Sequence, residues 1–188
     1  MKKLKVTIIG YGGMGSFHAK LIQANPEVEV HGIFDISESR QQAGEADGYS
    51  AYASLEEALN DACADTILIA TPNDVHKEIA VQALEAGKHV ICEKPVTLTS
   101  EELSEIMHTA KEHERVFMVH QNRRWDSDFQ MVKDLYENRK IGEVFHIESR
   151  VQGANGIPGD WRHLKAHGGG MLLDWGVHLL DQLLYMID

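Results

Sequence analysis

Little in this 188-residue chain could staple it, anchor it or draw it to a polyanion. There are two cysteines, Cys63 and Cys92. Both lie in apolar settings that read as buried thiols, so no disulfide framework organises the fold and a reducing, cytoplasmic location is expected. No apolar run approaches the roughly 20 residues that span a bilayer, and no membrane partner is expected. The opening "MKKLKVTIIGYGGMG" puts lysines before an apolar stretch, but that stretch is short, meets glycines at once and lacks a small-residue cleavage site. It reads as a first strand and not as a signal peptide. Basic residues are scarce too. Eighteen Lys and Arg against 29 Asp and Glu give a formal charge of -11, which repels a phosphate backbone and argues against nucleic acid. What remains, 43% apolar and 25% charged residues, is the ordinary makeup of a globular protein with a real core.

The first 120 or so residues alternate short β-branched runs with amphipathic stretches. Val6 to Ile9, Val28 to Phe34, Thr66 to Ala70, His89 to Cys92 and Val116 to Val119 read as strands. Met14 to Ala24, Ser37 to Gly44, Leu55 to Asn60, Val75 to Ala86 and Ser100 to His113 read as helices. Gly87 closes one helix, and Thr99 or Ser100 before "EEL" opens the next. A βαβ series of this kind implies an α/β fold, a Rossmann-type doubly wound parallel sheet with helices on both faces. After Val119 the grammar changes to a polar, aromatic stretch, a helix near Asp128 to Asn138, and the alternating segment "EVFHIESRVQ". Phe145, Ile147, Ser149 and Val151 fall on one face of that segment, as in a strand with one wet face. A single strand cannot satisfy its own backbone. The expectation is therefore an amino-terminal piece of a longer protein, or a strand paired with another chain. A glycine-rich loop then precedes a closing helix from about Gly170 to Ile187.

"VTIIGYGGMGSFHAK" sets Gly10, Gly12 and Gly15 as G-x-G-x-x-G between a strand and a helix, with Gly13 and Met14 inside the turn. A dinucleotide site needs a tight turn at the first glycine, close backbone approach to pyrophosphate at the second and close helix packing at the third. The helix amino terminus then faces the anion. The pattern alone is weak and also fits a plain glycine turn. Asp35 sharpens it, lying 20 residues after Gly15 at the end of the second strand. There a carboxylate accepts hydrogen bonds from a ribose and repels a 2′-phosphate, which favours NAD over NADP. Arg40 is near enough in sequence to soften that preference, although it reads more simply as a solvated helix residue. Thr71, Pro72 and Asn73 end the third strand at the sheet edge where such folds bind ligands. Asn73 fits equally a helix cap and a cofactor contact.

"HVICEKPVTL" raises the question why an apolar strand should end in a Glu-Lys pair pinned by proline. If the strand is central and parallel, Glu93 and Lys94 stand beside the nicotinamide end of a bound dinucleotide, with the turn fixed by Pro95. In "GGGMLLDWGVHLLDQLLYMI", Asp174, His178, Asp181 and Tyr185 form a polar stripe at spacings of four, three and four. That stripe is equally a wet helix face. Read as chemistry, it puts Asp174 and His178 on one side, one turn apart. Histidine near its ordinary pKa suits proton exchange at neutral pH, and a lysine stabilises developing alkoxide character.

Taken together, "GYGGMG", "ATPNDVH", "ALEAGKHVICEKPVTLT" and "GGGMLLDWGVHLLDQ" resemble, in order and spacing, the amino-terminal half of the Gfo/Idh/MocA oxidoreductase family. The resemblance covers essentially all of the chain. It implies an NAD-binding Rossmann domain over residues 1–122 and, over 123–188, the truncated start of an α+β substrate domain with an incomplete open sheet. It further implies an NAD(P)-dependent dehydrogenase acting on a secondary hydroxyl of a sugar, cyclitol or related polyol, and a homo-oligomer in the full-length protein. In that reading Lys94 orients and polarises the hydroxyl, His178 exchanges its proton, and Asp174 holds substrate and histidine. Trp161 and Arg162 resemble residues beside the nicotinamide, and Glu93, His76 and Gln121 line the same groove. The Lys94-Pro95 bond is often cis in such proteins. The shorter length departs from the family pattern and implies cofactor binding with little turnover. A nucleotide-binding sensor or scaffold is the alternative. No metal is expected, because His163 and His167 with Asp160 lie in a loop-like stretch that no cysteine pair supports.

Overall fold

The computed structural model describes residues 3–153, 156 and 159–187, which divide between Val119 and His120 into two compact units. The first is a parallel sheet of β1 (Leu4–Ile9), β2 (Val28–Phe34), β3 (Thr66–Ile69), β4 (His89–Cys92) and β5 (Phe117–Val119), in the order β2-β1-β3-β4-β5. Between the strands run α1 (Gly13–Gln23), α2 (Glu38–Ala46), α3 (Leu55–Asn60), α4 (His76–Glu85) and α5 (Ser100–Glu112).

Strand alternation builds the two cores. Ile9, Ile67, Ile69, Val90 and Cys92 point to one face and pack with Ile79, Leu84 and Ile106. Val6, Ile8, Ile33 and Leu68 point to the other and pack with Ala19 and Tyr11. A sheet buried on both faces requires such near-continuous apolar strands, and burying each Leu or Ile side chain contributes roughly 1.5–3 kcal/mol. Helix ends are fixed locally. Thr99 and Glu102 form a capping box at α5, Ser54 accepts from the Glu57 amide at α3, and Gly87 leaves α4 with a φ of 78°.

A sixth position on the sheet escaped the sequence reading. Ala51 makes an isolated parallel bridge to Ile33 on the free edge of β2, through Ile33 N–H to Ser50 O and Tyr52 N–H to Ile33 O, both 2.9 Å. The strand order reverses between β1 and β3, the place outside whose carboxyl ends open α/β sheets bind their ligands, and Ala51 extends the β2 side by one position.

The second unit contains α6 (Ser127–Glu137), α7 (Val177–Ile187), and 3-10 turns at Asn122–Trp125, Trp161–His163 and Lys165–His167. Arg124 ties the first of these turns to α7 by two bonds to Asp181, 2.7 and 2.6 Å, while its guanidinium lies 4.7 Å from the Tyr185 ring centroid. Gln182 donates to Arg123 O at 2.8 Å. Asp181 and Tyr185, half of the expected polar stripe, are therefore engaged in holding this unit together.

Three expectations need correction. The segment from Glu143 to Gln152 is not a strand, and among the described residues the second unit has none. Its alternation is real, but among the described residues no strand pairs with it, and Phe145 stays 98% exposed. The first strand expected of an incomplete open sheet is thus not formed among the described residues. The closing helix is not regular either, because a π turn at Leu172–Gly176 precedes α7, so a 3.6-residue period does not describe Asp174. Finally, Cys63 is exposed while Cys92 is buried, because Cys63 sits in the surface turn between α3 and β3.

Candidate active site

The glycine turn after β1 is shaped by clashes it avoids. Gly10 has a φ of 92°, and a Cβ there would lie 2.7 Å from Ala70 O. At Gly15 a Cβ would lie 1.9 Å from Gly10 O, so only hydrogen lets α1 approach the turn. Gly12 and Gly13 are different, with nothing within 4 Å of an added Cβ. The first pair serves the fold, and the second pair leaves open space over the start of α1. Gly12 is the N-cap of α1 and carries no side-chain cap, and no acidic residue stands in the first turn. The leading amides near Gly13 and Met14 therefore face that space ready for an anion.

Asp35 is held against the same turn. Its Oδ2 accepts from the Tyr11 amide and its Oδ1 from the Ser37 amide, each 2.8 Å, and Gln41 donates to its backbone oxygen at 2.6 Å. Tyr11 is buried and donates its hydroxyl to Asp47 at 2.8 Å; burial first, then that bond, push its pKa up. The carboxylate is thus fixed in position while keeping lone pairs for a further donor.

At the ends of β3 and β4 the loops are cross-tied. His76 is fully buried, with Nε2 2.9 Å from Thr71 O and Nδ1 3.0 Å from Pro95 O. Burial, the largest influence, lowers its pKa, while the two carbonyls and Glu93 oppose that effect. The histidine connects the Thr71-Pro72 turn to the turn carrying Lys94, and the Lys94-Pro95 peptide is cis. Thr71 Oγ1 is buried with no hydrogen-bond partner among the described residues. Asn73 is buried at the start of a 3-10 turn, and the N-cap position of α4 is Val75.

Glu93 turns inward. Its Oε1 lies 2.6 Å from His18 Nε2, both residues nearly buried, and its Oε2 accepts from the Lys94 amide at 3.2 Å. His18 was absent from the sequence reading. The signal was there, since Gly15, His18 and Ala19 share the buried face of α1.

In the second unit the three consecutive glycines have distinct tasks. Gly168 has a φ of 68° and Gly170 one of 126°. A Cβ on Gly169 would lie 2.2 Å from Arg162 O, the same oxygen that accepts from the Gly170 amide at 3.0 Å. The run folds the Trp161–His163 turn onto the start of the closing helix. Asp160 Oδ1 caps that turn through the Arg162 amide at 2.9 Å. Arg162 then pairs with Asp160 at 2.6 Å, lies 3.7 Å from Asp174 Oδ1 and covers the Trp161 ring at 4.5 Å. Asp174 sits within the π turn, a distortion frequent at functional sites, and His178 is buried with its ring edge against Trp175 at 6.0 Å. Arg162 is thereby brought to Asp174, and Trp175 and His178 pack on each other just beyond it in the same closing helix. Gln121 stands at its beginning, just before the Asn122–Trp125 turn. Lys94 belongs to the first unit.

Residues 4–121 match the family model described as "Oxidoreductase family, NAD-binding Rossmann fold", and residues 129–188 match the "GFO/IDH/MocA C-terminal domain". The chain is 39% identical over 181 residues to the uncharacterized oxidoreductase YdgJ of Escherichia coli, covering 95% of this chain and 52% of that protein. It is 31% identical to the scyllo-inositol 2-dehydrogenase (NADP(+)) IolW of Bacillus subtilis, covering 97% of this chain and 51% of that one. The crystal structure of an NAD-binding protein from Listeria innocua superposes with a TM-score of 0.97 at 62% identity, covering all of this chain and 56% of that one. The chain spans about half the length of the curated relatives it matches.

Proposed function

This chain belongs to the Gfo/Idh/MocA family of oxidoreductases, and from that premise we propose that it forms the cofactor-binding part of an NAD-dependent dehydrogenase acting on a secondary hydroxyl of a sugar, cyclitol or related polyol. The family includes dehydrogenases of inositols and glucosides, one of them using NADP. The observation that carries the proposal is the division of labour among the glycines. Gly10 and Gly15 have no room for a side chain, Gly12 and Gly13 open onto empty space, and Asp35 is clamped beside them. A pyrophosphate on the α1 amides and a ribose on Asp35 account for all three features. The preference for NAD rests on Asp35, whose charge disfavours a 2′-phosphate.

Gly10, Gly12, Gly13, Met14, Gly15 and Asp35 would hold the dinucleotide. Thr71, Pro72, Asn73, His76, Glu93, Lys94, Gln121, Trp161 and Arg162 would shape the space toward its reactive end, His76 and Glu93 by fixing their loops. When bound, the nicotinamide supplies a hydride acceptor. Lys94 would donate a hydrogen bond to the reacting hydroxyl and stabilise its oxygen as negative charge develops. His178 would take the hydroxyl proton at an imidazole nitrogen and return it in the reverse direction. Asp174, steadied by Arg162, would hold the substrate and orient the histidine. The division into a Rossmann domain to about residue 122 and the start of a substrate domain beyond it follows the same reading.

The test is incubation with NAD+ and a panel of inositols, hexoses and their glucosides, followed by the absorbance of NADH. In a protein that carries this chain and spans the full length of its relatives, reduction with at least one polyol is expected, with NAD+ preferred to NADP+; the 188 residues alone are expected to bind NADH with little turnover. Tight NADH binding without turnover of any alcohol or ketone would point instead to a nucleotide-binding sensor.

A further inference from the structure

Away from the glycine turn, three side chains of metal-ligating type meet on the first unit. The register of β2 on β1 steps from Val6 opposite Val30 to Thr7 opposite Gly32, leaving His31 as the extra residue of a bulge. Bulges re-aim the side chain they carry. His31 Nε2 lies 3.1 Å from Asp61 Oδ2, and one donor atom from each of His31, Asp61 and Cys63 falls within 4.8 Å of the others.

The surroundings fix this cluster. Tyr52 donates its hydroxyl to Asp61 Oδ2 and the Cys63 amide donates to Asp61 Oδ1, each 2.7 Å. The Tyr52 ring fits there because residue 32 is glycine; a Cβ would stand 2.5 Å from its Cε2. Buried Lys88 donates to the carbonyls of Asp61 and Ala64 at 2.5 and 2.9 Å, which pins the turn presenting Cys63. With one donor on each oxygen, the Asp61 carboxylate is oriented and still has lone pairs to offer.

We propose that His31, Asp61 and Cys63 form a binding site for a zinc-class divalent cation. Imidazole nitrogen, carboxylate oxygen and thiolate sulfur are the donors tetrahedral zinc accepts, at about 2.0–2.3 Å, which sets donors about 3.5 Å apart. The present spread closes to that by side-chain rotation, for which exposed Cys63 has room. On binding, the thiol releases its proton to solvent as the sulfur–metal bond forms, and the cation takes the Nε2 lone pair of His31 beside Asp61, the imidazole keeping its one proton on Nδ1 after exchange through solvent. The fourth position opens to water. Tyr52 and the Cys63 amide orient the carboxylate as outer partners. The turn leads into the amino end of β3, whereas the glycine turn follows the carboxyl end of β1. The cation site therefore stands independently of the dehydrogenase reading.

Titration of the protein with Co2+, a spectroscopic substitute for zinc, tests the site. A thiolate-to-cobalt charge-transfer band is expected that saturates at a single equivalent, is displaced by zinc and is absent in Cys63→Ser. Zinc is expected to slow alkylation of Cys63 about tenfold and to raise the unfolding temperature on the order of 5 °C at saturation, both effects being lost in His31→Gln. Both substitutions are at positions with solvent access, which spares the core. Failure of the band to appear at millimolar cobalt, its survival in Cys63→Ser, or alkylation indifferent to zinc would overturn the site.

Discussion

The two units of the chain solve the problem of positioning a reactive group in opposite ways. The first buries apolar residues on both faces of its sheet and cross-ties the strand ends with buried polar side chains, His76 between two carbonyls and Glu93 on His18. The second has few buried apolar side chains, Phe129 and Met186 among them, while Leu172, Leu180 and Leu184 are 54% exposed or more. It relies on polar ties instead: Arg124 on Asp181, Arg162 on Asp160 and Asp174. Burial of apolar area gives cooperative stability, whereas partly exposed ion pairs contribute about 1 kcal/mol or less each. Precision in the first unit is a property of its core, and in the second it depends on a few local bonds.

Glycine substitutions sharpen that contrast. The largest effect belongs to Gly15→Ala, which drives a methyl into Gly10 O within a packed interior. It is expected to cost about 3 kcal/mol in denaturant unfolding and to abolish NADH binding. Gly12→Ala, in open space, is expected to cost about 1 kcal/mol or less, yet to weaken NADH binding more than about tenfold by obstructing the anion's approach. Equal losses of stability at the two positions would break the distinction between fold glycine and ligand glycine. A smaller, local effect is expected from Gly169→Ala in the second unit. Amide exchange should accelerate around residues 160–176 while β1, β3 and β4 keep their protection. Loss of protection in the sheet would show that the second unit is not held by local bonds.

The same contrast explains what was legible in the sequence. β2, β4 and α3 read correctly to the residue, because alternation, apolar runs and capping are local signals enforced by burial on both faces. The glycines of the turn and Asp35 were readable from spacing, and the structure adds which of them meet atoms and which meet space. Ala51 was invisible because one bridging residue has no period. Glu143 to Gln152 has a strand's period without a partner, and pairing is not encoded in one segment. The π turn at Leu172–Gly176 defeated an argument built on 3.6 residues per turn. His18 with Glu93, and His31 with Asp61 and Cys63, are brought together only by tertiary structure.

The account rests on Lys94 and His178 acting on a substrate hydroxyl while the first unit holds the dinucleotide. The most direct measurement is NADH affinity and kcat, side by side, for Lys94→Met and His178→Asn in a protein that carries this chain and spans the full length of its relatives, with the polyol or sugar that turns over. NADH affinity is expected to stay within about threefold while kcat falls by about 10²- to 10⁴-fold in each variant. Undiminished kcat in either variant would contradict the account.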